Sequence, residues 1–268
     1  ALYGARHPLG RQPVELDYQK VSADLLRNFF LQQYRNDTCA IFASGCVTDD
    51  CIELITSRFG QISLGDASAP RRQVGMAPSP TVQRQYFIEQ PDAPQSSVRM
   101  GMLTIGSSHT DFLKLRVMLT LFGGYFGSRL MQNIREEKGY TYGIAAIVVP
   151  QVQHSLLLIQ SEAAPEYVAP LVQEVHHEID RLQQELVTDT ELALVRNYMT
   201  GELCRNYESP FSLADGWIFV HTLQLPHRHF SDMLQAVQQV SADEIRALAQ
   251  RYLCKENLKE VVSGKKLS

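Results

Sequence analysis

Apolar side chains recur along this chain with two periods, and each period marks a kind of secondary structure. Leu25, Leu26, Phe29, Phe30 and Tyr34 fall at helical spacing behind Ser22, a good N-cap. Residues 38–44, Thr-Cys-Ala-Ile-Phe-Ala-Ser, read as a buried strand. Thr48 then caps a helix with Ile52, Leu54, Ile55 and Phe59 inside and Gly60 as its stop. Residues 7–20 read as loop, and the poorly patterned 61–82, with Pro70, Pro78 and Pro80, as a linker. A second series follows. Strands over 83–89 and 97–105 lead to Ser108 and Asp111, a capping box in front of a helix from Phe112 to Phe122. That helix is apolar on nearly every side and belongs in a core. Strands over 142–149 and 154–161 join through the short Pro150-Gln-Val-Gln connection. An amphipathic helix spans 166–186, and Thr188 with Glu191 boxes the next one. Helices over 212–224 and 230–238, a Ser241–Glu244 box and a strand at 258–263 complete the pattern.

One segment occurs twice. Val21-Ser-Ala-Asp-Leu-Leu-Arg27 returns as Val240-Ser-Ala-Asp-Glu-Ile-Arg246, and at the same offset of 219 residues Ser44-Gly45 returns as Ser263-Gly264. A capped helix, a strand and Ser-Gly in one register point to a duplicated domain; the spacing is far too long for a solenoid. The expected organisation is the tail of a first domain over 1–72 and a complete second domain over 73–268. The opening Ala-Leu-Tyr-Gly-Ala-Arg-His-Pro carries no signal-peptide pattern and reads as cut from something longer.

Composition narrows the classes. Of 268 residues 44% are hydrophobic and 20% charged, with a net charge of −4, which is a globular mix. It offers no basic footprint for nucleic acid and no polybasic membrane patch. No run approaches the roughly 18 apolar residues of a spanning helix. The five cysteines, Cys39, Cys46, Cys51, Cys204 and Cys254, form no CxxC pair and read as buried or half-buried free thiols.

Residues 121–146 stand apart, packing glycines, two arginines, an acidic pair and several aromatics between two apolar elements. Leu121-Phe-Gly-Gly-Tyr-Phe-Gly-Ser-Arg-Leu130 and Ile134-Arg-Glu-Glu-Lys-Gly-Tyr-Thr-Tyr-Gly143 resemble the pitrilysin, insulin-degrading enzyme and mitochondrial processing peptidase family of zinc metallopeptidases. His7-Pro-Leu-Gly-Arg11 and Glu208-Ser209 support the resemblance, which covers essentially the whole chain. It implies an α+β fold: a two-layer sandwich of a mostly antiparallel sheet with helices on one face, preceded by part of a homologous domain. It also implies a zinc site of the form His-x-x-Glu-His in the other half. None of the eight histidines here begins that pattern, and the helix in the corresponding place reads His109-Thr-Asp-Phe-Leu-Lys-Leu, without ligands. The expectation is therefore no metal in this chain, with zinc in the missing half or on a partner subunit.

What the resemblance assigns to the non-metal half is an arginine and a tyrosine seven residues apart, here Arg135 and Tyr142. They would bind the substrate backbone and stabilise the transition state: a guanidinium offers a rigid fork of donors, and a phenol can donate to a developing oxyanion. Gly123, Gly124, Ser128 and Arg129, in the bend before them, are implied as secondary substrate contacts. The implied function is the C-terminal substrate-binding portion of a zinc metalloendopeptidase, inactive alone. The implied partners are a peptide or unfolded polypeptide and the zinc-bearing half or subunit, with a dimer allowed and neither nucleic acid nor membrane. The alternative is a catalytically inactive structural or scaffold member of the family.

Other residue types carry plainer readings. Glu136 and Glu137 read as an ion-pair set holding Arg135 rather than an acid/base pair. Gly123-Gly-Tyr-Phe-Gly127 follows a helix and lacks Gly-Lys-Ser/Thr, so it reads as a packed break rather than a phosphate cradle. His176 and His177 lie off the apolar stripe of their helix and read as solvated, with a metal enzyme built on His176 to Asp180 as a third function. Trp217, Phe211 and Phe219 read as core.

Overall fold

The computed structural model describes residues 1–61, 64–65 and 77–266. Much of the linker expected over 61–82 lies outside the described residues. Helices α1 (Glu15–Gln19), α2 (Ala23–Gln33) and α3 (Asp49–Phe59) come first. Both expected caps form: Ser22 Oγ accepts from Leu25 N at 3.2 Å, and Thr48 Oγ1 accepts from Cys51 N at 3.4 Å. Two readings need correction. The expected loop over 7–20 contains α1, and residues 38–44 are not a strand but a short 3₁₀ turn (Asn36–Thr38) running into extended backbone outside the sheet. Their pattern is that of a strand, but a strand needs a neighbour to take its hydrogen bonds.

The sheet comprises β1 (Gln85–Glu89), β2 (Ser96–Ile105), β3 (Thr141–Val149), β4 (His154–Ala163) and β5 (Lys259–Gly264), in the order β1-β5-β2-β4-β3. Only β1 and β5 are parallel; the other ladders are antiparallel. The longest ladder runs from Ser96↔Ala163 to Ile105↔His154. Along β4 burial alternates, with Ser155, Leu157, Ile159, Ser161 and Ala163 turned inward. That period of two gives the sheet one covered face.

Six further α-helices follow among the described residues: α4 (Phe112–Leu119), α5 (Val168–Gln184), α6 (Asp189–Asn206), α7 (Pro210–Thr222), α8 (His229–Gln239) and α9 (Ala242–Tyr252). Met100 of β2, Leu157 and Ile159 of β4, Leu115 and Met118 of α4, Val175 of α5, Val195 of α6, Val237 of α8 and Ala249 of α9 share one buried cluster. Each large side chain there contributes about 1.5–3 kcal/mol by leaving water. The architecture is α+β, a mixed, mostly antiparallel sheet packed against helices. A satellite cluster joins Val220, Leu223 and Leu225 to Trp217, Phe219 and Phe230, while Phe211 is 83% exposed and no part of a core.

Helix starts bear much of the polar bonding. Ser241 and Glu244 form the expected box on α9. Asp111 does not cap α4 through its side chain; it accepts from Arg251 Nη1 at 2.8 Å and Tyr252 Oη at 2.7 Å, tying α4 to α9. Thr188 and Glu191 box α6, and Glu191 also receives Arg129 Nε at 2.7 Å and Nη2 at 3.3 Å. His176, expected in solvent, instead hydrogen-bonds Glu260 of β5 at 2.7 Å. The five cysteines are free, and four of them are exposed rather than buried.

Two expected outcomes follow from this packing. Burial raises the pKa of the Glu191 carboxyl, but its bonds from Arg129 and Thr188 leave it below its ordinary 4.5. A depressed carboxylate lends stability above the unfolded value and loses it as pH falls through the folded one. The denaturant midpoint should therefore hold from pH 7 to about 5 and drop below about 4.5. Arg129→Met should cost about 3 kcal/mol at pH 7 and flatten that drop, because Glu191 loses its buried partner. Gly123→Ala should also destabilise the fold. A Cβ there would sit 2.6 Å from Ala146 Cβ and 2.7 Å from Ala146 N, and such overpacking costs about 1–3 kcal/mol, readable in the same unfolding curves.

Candidate functional site

The site is built where α4 gives way to β3. Beyond Leu119 the helix widens into a π-helix (Thr120–Gly124), in which Thr120 Oγ1 donates back to Arg116 O at 2.9 Å. Gly123 lets this turn lie directly on Ala146 of β3. A second π-helix (Met131–Glu137) follows, and Lys138 N donates to Asn133 O at 3.0 Å across its widened turn. Such wide turns are rare and gather at functional sites. Gly139, at φ +66°, ends this helix in the left-handed conformation that glycine adopts without strain. The chain then enters β3 at Thr141.

The second π-helix is fastened from below. Asn133 Nδ2 donates to Glu178 Oε1 at 2.7 Å and to Glu174 Oε2 at 3.0 Å, and Arg181 Nη1 reaches Glu178 Oε1 at 2.9 Å. Glu178 is fully buried, so the polar tie between this turn and α5 forms in a low-dielectric setting where it is strong. Helical spacing marks Glu178 only as a polar residue beside Ile179. Nothing in the pattern shows that Asn133 would face it.

Against β3 lies an open cavity of about 570 Å³. Gly123, Gly124, Tyr125 and Phe126 line one wall, Thr141 to Ala145 another, and Gln95, Arg99, Gln160, Ser161 and Glu162 come from β4 and from β2 and its approach. Tyr142 is 90% exposed. The Arg135 guanidinium lies behind this rim: Nε donates to Tyr142 O at 3.0 Å, Nη1 pairs with Glu136, and the group stacks over Phe126 at 4.5 Å from the ring centroid. The two residues named from the motif are thus in direct contact, and Glu136 holds Arg135. Among the described residues no ion pair joins Glu137 to Arg135, and Lys138 pairs with Glu174 at 3.5 Å.

The four secondary candidates divide. Gly123 and Gly124 line the cavity. Ser128 and Arg129 do not: Ser128 is fully buried, and the Arg129 side chain, 8% exposed, is spent on Glu191. Sequence reasoning missed Arg99, Gln160 and Glu162. Strand alternation carries the signal, since Gln160 and Glu162 are, with His154, the polar residues on the outward face of β4.

Zinc ligands are a matter of donor chemistry. Among the described residues no group of three or more His, Cys, Asp or Glu side chains is arranged to hold a metal ion. Helix α4 carries Lys114 and Arg116 between apolar positions, and these cations do not suit a divalent metal. These residues do not fit zinc, and no chemical step is assigned to a metal within this chain.

Known proteins resemble this chain over nearly its whole length. A zinc protease of Mycobacterium tuberculosis is 26% identical over 260 residues, covering 94% of this chain and 58% of its own length. The solved peptidase M16 inactive domain from Pseudomonas fluorescens superposes with a TM-score of 0.84 at 20% identity, over 100% of this chain and 64% of that one. A protease from Helicobacter pylori gives 0.88 at 16% identity, over 98% and 64%. The chain therefore spans about three fifths of the length of these relatives. The family model for the peptidase M16 inactive domain matches residues 20–199, running through residue 72 without a break. With two thirds of its length inside that match, the chain belongs to the peptidase M16 inactive-domain family, among zinc proteases of the pitrilysin type.

Proposed function

We propose that this chain is the substrate-binding portion of a zinc metalloendopeptidase and presents an extended peptide to a metal held elsewhere. The observation that carries this reading is the pairing of Arg135 with Tyr142 at the rim of an open cavity beside an edge strand. Among the described residues β3 pairs with β4 alone, so its outer edge is open to an incoming chain, although Ile144 N already donates to Met131 Sδ at 3.4 Å and Tyr142 O accepts from Arg135. Strand addition of this kind grips a polypeptide through its main chain, with little demand on sequence. The exposed Tyr142 hydroxyl supplies one directional donor to the carbonyl undergoing attack. Arg135, one of its nitrogens already bound to Tyr142 O, supplies positive charge behind that donor.

The remainder of the enzyme is part of the proposal. Leu26, Phe29 and Phe30 on α2 are 58%, 48% and 46% exposed, whereas their counterparts in the repeat, Ile245, Leu248 and Ala249 on α9, are 0%, 6% and 0% exposed. The α2 face has the composition of a core face and lacks the cover that α4 and α5 give α9. Residues 1–72 accordingly read as the tail of a first domain, and 73–268 as the second. The zinc site belongs to that first domain or to a partner subunit.

Purified residues 1–268 should show neither stoichiometric zinc nor chelator-sensitive peptidase activity; finding both would end the proposal. In the full-length enzyme, Tyr142→Phe should lower kcat by about a hundredfold, the usual cost of one lost oxyanion donor. Arg135→Lys should lower kcat/KM as well, because lysine keeps the charge but not the planar fork. Peptide turnover at wild-type rates in both variants would remove the role assigned to the pair.

A further inference from the structure

The first residues of β3 do not continue the ladder that the rest of the strand makes. From Val149↔Leu156 to Ile144↔Ser161 the pairing is regular, but Thr141 pairs with Ala163. Tyr142 and Gly143 together stand opposite Glu162, one residue more than a regular strand allows, which is a β-bulge. The consequence for Tyr142 follows from the period of two. A regular strand running back from the buried Ile144 would pair Tyr142 with Ala163 and turn the phenol toward the helix-covered face. The extra residue breaks the alternation, leaving Tyr142 exposed and Thr141 facing inward.

A bulge leaves backbone groups without ladder partners, and here two hydroxyls take them up. Thr141 Oγ1 donates to Glu162 O at 2.6 Å and accepts from Gly143 N at 3.1 Å. Ser161 Oγ donates to Gly143 O at 2.9 Å and lies 3.0 Å from Thr141 Oγ1. With the two protons so placed, each hydroxyl donates once and the displaced amide and carbonyls are satisfied. Ser161 is 5% exposed, so its own bonds are partly shielded from water, while those of Thr141 lie at the surface. The neighbouring carbonyl, Tyr142 O, is held by Arg135 Nε.

We propose that Thr141 and Ser161 are positioning residues whose hydroxyls hold the bulge that turns Tyr142 out into the cavity. This rests on the reading of Tyr142 as a peptide-binding side chain, and the test separates the two. The variants are Thr141→Val, isosteric but without the hydroxyl, Ser161→Ala, and Thr141→Ser, which restores an oxygen. Each is made in the full-length enzyme with 3-fluorotyrosine at position 142. The readouts are the fluorine signal, amide exchange at Gly143, and the kcat and KM for a peptide.

The expected result for Thr141→Val and Ser161→Ala is a shifted or broadened fluorine signal and at least tenfold faster exchange at Gly143. Both variants should lower kcat tenfold or more, and Thr141→Ser should recover most of each change. A fluorine signal and exchange rate unchanged from wild type in both hydroxyl-deleting variants would overturn the proposal. So would a kcat left intact by them while Tyr142→Phe lowers it. If the hydroxyl variants move the signal and exchange but neither they nor Tyr142→Phe alter turnover, the bulge lock stands and the peptide-binding reading falls.

Discussion

The cavity depends on one close contact, that of Gly123 with Ala146. Because Gly123 has no side chain, the π-helix after α4 can lie on the backbone of β3 itself. That closeness sets the depth at which Leu130 and Ile134, both fully buried, pack beneath the next turn. It also fixes where the second π-helix can deliver Arg135. A larger residue at 123 would lift the first turn and open the wall formed by Tyr125 and Phe126. The glycine-rich look of the stretch thus has a steric cause at Gly123 and a backbone one at Gly139, where φ is positive.

Much of the fold was legible because its signals are local. The Thr188–Glu191 and Ser241–Glu244 boxes need only four residues each, and both form. The strand read over 154–161 forms within β4. What escaped was whatever depends on a distant partner. Asp111 looked like half of a capping box but bonds residues 140 and 141 positions away. Arg129 looked available to a ligand, but Glu191, 62 positions on, occupies it. Residues 38–44 have a strand's pattern and no neighbouring strand, and a pattern records a preference that pairing must complete.

At the site, Arg135 and Tyr142 were legible from the motif, but the reason they meet was not. Seven residues separate them, and that spacing makes sense only once the π-helix, the left-handed Gly139 and the bulge at Tyr142–Gly143 are in place. Of the three, Gly139 alone has a sequence signature, that of a helix end. A π-turn differs from an α-turn by a single inserted residue, and a bulge differs from a strand by the same amount. Threonine at 141 and serine at 161 read as ordinary strand residues, since hydroxyls are common on such surfaces.

The contact between Arg135 and Tyr142 also bears on what each can offer a peptide. A guanidinium that donates Nε to a backbone carbonyl, pairs with Glu136 and stacks on Phe126 has lost most of its rotational freedom before any ligand arrives. Binding then needs less ordering from this side chain, which favours affinity without new contacts. The same bonds leave it fewer free donors, so its share in the proposed recognition is charge and position more than hydrogen-bond count. On the proposed reading the directional donor is Tyr142, an exposed side chain whose carbonyl is held by Arg135 and whose neighbour Gly143 is held by Thr141 and Ser161. An exposed ring on a fixed backbone suits the proposed role, in which one group meets extended chains of differing sequence at the same main-chain atom.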